Sequence, residues 1–166
     1  MHLRTVVGLG CFVAAAGASV TAFAEDPTIR STYQHPSYVF DAEPHFLFGY
    51  AGPFDADHSA AAGFRGTFNI LDHGFVQSIN DSVGLGVGVD FAGGRHLIVP
   101  VVLQWNFWLS PHWSVFGEPG VAWESGGPND VLPIVMGGGR FNFNDSLALT
   151  LRAGYPGLSV GLSILL

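Results

Sequence analysis

The chain has 166 residues, of which 48% are hydrophobic and 11% charged; it holds six arginines, thirteen carboxylates and no lysine, for a formal charge of −7. Soluble domains typically carry about 25% charged residues, so an exterior facing water is poorly supplied here, while 13% aromatic content and a mean hydropathy of +0.36 exclude a disordered chain. The acidic balance without lysine excludes electrostatic binding to nucleic acid, and the length fits one domain.

In chain order, Arg4 precedes an apolar or small-residue stretch, Thr5 to Val20, and Ala22-Phe23-Ala24 supplies a small-x-small site before Glu25. This predicts a signal peptide over residues 1–24, cleaved near Ala24. The single cysteine, Cys11, lies inside it, so residues 25–166 have no thiol chemistry. Residues 25–44 are polar, contain three prolines and keep no period, which predicts an irregular, periplasmic N-terminal extension.

From His45 onward the sequence breaks into apolar runs separated by turn clusters, at roughly 45–52, 60–71, 82–91, 97–109, 113–125, 131–143, 146–155 and 158–166. Four of these alternate strictly. Val83, Leu85, Val87, Val89 and Phe91 oppose Ser82, Gly84, Gly86, Gly88 and Asp90, and Leu147, Leu149 and Leu151 oppose Ala148, Thr150 and Arg152. Period two with one greasy face is a strand signature. Pro100 and the Ser110-Pro111-His112 cluster argue against a helical span over 97–117. Runs of this length suit tilted membrane strands, which need about 9–11 residues. The joints 72–81, 110–112 and 144–145 fall at one end, and 52–59, 93–96, 126–130 and 156–157 at the other.

The charges within the runs are Arg65, Asp90, Glu118, Glu124, Arg140 and Arg152, and all take the polar parity of their strands. Three arginines and three carboxylates on one face predict a paired network in a narrow lumen, with glycines 84, 86 and 88 making room for bulky residues such as Trp108 and Phe116. An apolar exterior in lipid and a polar interior closed on itself satisfy both stripes. A soluble lipid-binding barrel with the faces reversed is the alternative, and six charges would solvate it poorly. Trp105, Trp108, Trp113, Trp123 and Tyr155, near strand ends, suit interfacial girdles.

With its export signal and eight alternating runs, the chain resembles the small OmpA/OmpX-like outer-membrane β-barrels of Gram-negative bacteria. Ser159, Gly161, Ile164 and Leu166 are similar to that class's C-terminal assembly signal, although Leu166 stands where the family usually ends in Phe. The resemblance implies an all-β, eight-stranded antiparallel up-and-down transmembrane barrel over residues 45–166. It also implies insertion by the outer-membrane barrel assembly machinery, surroundings of outer-membrane lipid and lipopolysaccharide, and a monomer.

Candidate chemistry is sparse. His112-Trp113-Ser114 with Glu118 or Glu124 resembles the His-x-Ser plus Glu arrangement of outer-membrane lipid A deacylases, but its place in a tight turn reads as a turn histidine. Asp55, Asp57 and His58, with Arg95 and His96, lack metal-ligand spacing and read as polar loop. The glycine runs 84–88 and 137–139 have no P-loop lysine. No catalytic residue, metal or cofactor is expected. The expected role is a structural or interaction barrel with a side-chain-plugged lumen; a narrow pore and a lipid hydrolase remain the alternatives.

Overall fold

The computed structural model describes residues 28–32, 34–49, 60–92, 96–125 and 131–166. The expected signal peptide, Asp55, Asp57, His58 and Arg95 lie outside the described residues. A short 3-10 turn, Thr28–Arg30, precedes eight strands: β1 Phe40–Phe48, β2 Ala60–Leu71, β3 Asp81–Ala92, β4 His96–Trp108, β5 Trp113–Ser125, β6 Val131–Asn144, β7 Leu147–Tyr155 and β8 Leu158–Leu165. Each strand pairs antiparallel with its neighbour in sequence, and β1 pairs with β8, so the sheet is a closed up-and-down barrel.

The first strand differs from expectation: it runs over Phe40–Phe48, not 45–52, so the barrel takes in residues that read as extension. Asp41, Glu43, His45 and Leu47 are buried, against the outward Pro44, Phe46 and Phe48. With three ionisable groups on the inner stripe and a proline on the outer one, its alternation is invisible to a search for one greasy face. Pro44 is accommodated because the ladder to β8 skips it, passing from Ala42↔Ile164 to His45↔Gly161. Pro100 falls in the matching gap between β3 and β4, and Pro119 in the gap between β4 and β5. A residue without N–H is tolerated in a strand where one ladder asks nothing of it.

The wall is apolar outside, where Phe46, Phe64, Phe91, Val121, Val135 and Leu151 are among many large exposed side chains. Inside, the half of the barrel where β1, β3, β5 and β7 finish is filled by Leu47, Ala61, Ala92, Ile98, Val102, Ala122, Ile134 and Met136. The lumen is therefore not polar throughout, as the charge pattern suggested. Burying these aliphatic groups against one another removes apolar area at about 25 cal/mol per Å², and ionised groups occupy the middle of the barrel.

Candidate functional site

The charged cluster is built by register. Glu43 lies opposite Arg65, Ser114 opposite Arg140, and Arg140 opposite Thr150. Alternation turns all of these side chains inward, where Arg140 and Glu118 are fully buried and Arg65 and Arg152 nearly so. Glu118 is the hub: its Oε2 accepts from Arg65 Nη1 at 2.7 Å and from Arg152 Nε at 2.9 Å, and its Oε1 accepts from Gln104 Nε2 at 2.9 Å. Arg152 also grips Glu43 with both terminal nitrogens, Nη2 reaching Oε2 at 2.8 Å. Its guanidinium lies 5.2 Å from the centre of the Phe116 ring, adding a cation–π contact.

A second group adjoins the first. Arg140 donates to Asp41, to the Tyr38 hydroxyl at 3.1 Å and to Thr150 Oγ1 at 3.4 Å. Ser163 Oγ lies 3.2 Å from a carboxylate oxygen of both Asp41 and Glu43, within reach to donate to either, and so joins the two arginine centres. Toward the apolar half, His45 Nε2 lies 2.7 Å from Asp90 Oδ1. Close approach to the wall depends on missing side chains. A Cβ on Gly161 would sit 2.3 Å from Glu43 Oε1, and one on Gly63 would sit 1.9 Å from Asp90 Oδ1.

Of the six charges singled out from sequence, Arg65, Glu118 and Arg152 are brought into direct contact. Arg140 joins them through Asp41 and Ser163, Asp90 pairs with His45, and Glu124 is buried on the same strand as Glu118. Asp41, Glu43, His45, Tyr38 and Gln104 were missed. Continuing the alternation of β1 back through Asp41 would have found the first three. With Asp41 and Glu43 included, five carboxylates rather than three face the three arginines.

Of the two places the sequence offered Trp108, the lumen and an interfacial girdle, it takes the interior one: it is fully buried, its indole donates to Ser82 Oγ at 3.3 Å, and His35 stacks on it. Its even position shares the inward parity of Gln104 and Asn106. Trp113, Trp123 and Tyr155 are exposed and Trp105 half-buried. Phe116 lies over Gly138, not over the β3 glycines, which face Thr67, Val102 and Pro100. In β8, Ser159 and Gly161 point inward and Ile164 outward, and Leu166, just past the strand, is exposed. Leu166 exchanges backbone hydrogen bonds with Phe40.

His112 is exposed and its ring stacks on Phe141, while Ser114 is fully buried in the lumen with no hydrogen bond to its hydroxyl. The two do not form a nucleophile and base. Among the described residues no group of three His, Cys, Asp or Glu side chains converges as a metal site would require.

The fold and lumen define an eight-stranded antiparallel barrel with buried ion pairs. No protein-family model and no curated protein matches the chain. Among solved structures it is similar to one reported under the de novo design of transmembrane β-barrels, with a TM-score of 0.62 at 12% identity over 78% of this chain and 98% of that one. It is also similar to the solution structure of the de novo designed TMB2.3, with a TM-score of 0.53 at 13% identity over 78% and 94% of the two chains.

Proposed function

We propose that this chain is a structural or interaction β-barrel of a Gram-negative outer membrane, OmpA/OmpX-like in build, whose lumen is closed by its own side chains. The observation that carries this reading is the inversion of polarity across the wall. Phe46, Phe64, Phe91 and Val135 lie outside, and Glu43, Glu118, Arg140 and Arg152 are sealed inside. A soluble lipid-binding barrel would need the opposite arrangement. Hydrocarbon accepts such a wall because closure leaves no unpaired sheet edge. Trp113 at one rim and Trp123 and Tyr155 at the other are suited to the two interfaces.

On this reading the chain is exported by its residues 1–24, inserted by the barrel assembly machinery through its last strand, and surrounded by lipid and lipopolysaccharide as a monomer without catalytic activity. The paired charges and the apolar cluster both stand where water and solutes would have to pass. Planar-bilayer recording tests this: the folded protein should insert without a steady, well-defined conductance. Reproducible single-channel steps would replace the plugged barrel with a pore.

A further inference from the structure

At the end of the barrel where β2, β4 and β6 finish, the segment before β1 crosses the mouth. Thr28 N donates to Leu109 O at 3.0 Å, Asn80 N to Ile29 O at 2.8 Å, and Asn80 Nδ2 to Gln34 O at 2.9 Å. Near its middle, His35 lies flat on Trp108, with ring centres 5.2 Å apart and planes at 14°. Its Nδ1 is 3.1 Å from Pro36 O, and its Nε2 is 3.2 Å from Asp72 O.

Both partners are carbonyl oxygens, which only accept. A neutral imidazole has one N–H, so one ring nitrogen must then turn a lone pair toward a carbonyl oxygen; an imidazolium donates to both. We propose that protonated His35 is the latch that holds the strap of residues 28–32 and 34–38 across the barrel mouth, so that acid closes the strap and alkali loosens it. The strap itself carries Arg30 and Tyr38, and the Tyr38 hydroxyl leads to Arg140. The opposing turn brings Asp72, whose carboxylate accepts from Asn69 at 2.8 Å, together with His73 and Asp81 around a small cavity beside the strap. β4 meets the ring with the uncharged Trp108 indole. Hydrogen bonds from a charged donor are each about twice as strong as neutral ones.

Amide hydrogen exchange of the full chain folded in detergent micelles tests the latch. Imidazole changes charge between about pH 5 and 8, so protection of the Thr28 and Asn80 amides, corrected for intrinsic rates, should fall about tenfold over that range. The Arg140 amide inside β6 should not change. His35→Gln should remove the pH response, and His73→Gln should keep it. A flat wild-type profile, a response surviving His35→Gln, or one abolished by His73→Gln would each overturn the proposal. Imidazole nitrogen NMR shifts of the wild type give a reading that needs no variant. Both ring nitrogens should carry protons while the strap is protected, and a neutral ring under a fully protected strap would also overturn it.

Discussion

Arg152 is the residue on which the interior charge balance turns. It is nearly fully buried, contacts both Glu43 and Glu118, and lies over the Phe116 ring. Removing one partner of a buried pair leaves an uncompensated charge, at a cost of about 3–5 kcal/mol. Arg152→Ala should therefore destabilise the barrel by about that amount, read as a lowered midpoint for heat-induced unfolding in detergent. An unchanged midpoint would mean that water reaches the two carboxylates. Gly161 belongs to the same arrangement: without a side chain, β8 leaves the room over which Glu43 reaches Arg152. Sequence spacing identified Arg152 and Gly161 separately, but nothing in it tied the glycine to the carboxylate lying over it.

Among the elements, β1 is the informative one. Its inner stripe of Asp41, Glu43, His45 and Leu47 contributes two carboxylates to the arginine centres and one imidazole to Asp90. A chain starting at Tyr38 keeps that stripe and should fold in detergent. One starting at His45 loses Asp41 and Glu43 and should fail to give the folded species. Heat-modifiable migration on unboiled detergent gels separates the two outcomes, and equal behaviour would remove β1's inner half from the fold. The strands that were legible from sequence, such as β3 and β7, contrast glycine or polar residues with aliphatic ones, so their periodicity stands out. β1 was misplaced because its contrast is between charged and aromatic residues, broken by Pro44. The apolar cluster around Ile98 and Ile134 was hidden for a related reason: both faces of those strands are greasy at that level, so parity carried no contrast. Trp108 looked like a girdle residue because a tryptophan near a strand end suits a membrane interface. Its parity with Gln104 and Asn106 already turned it inward, and the strap packed on the mouth covers it there.

At the level of the whole barrel, the charges that lie within the strands are buried, while the exterior of the described residues carries bulky aliphatic and aromatic groups. In the proposed membrane setting the folded protein should require detergent or lipid and should shift in mobility on boiling. A compact, monodisperse state in plain buffer would contradict that setting. The pairing of β1 with β8 has a further consequence. The first and the last of the eight strands complete the cylinder, so a fragment lacking β8 leaves β7 and β1 each without a partner on one side. Such a fragment would present bare amides and carbonyls on both flanks of the gap.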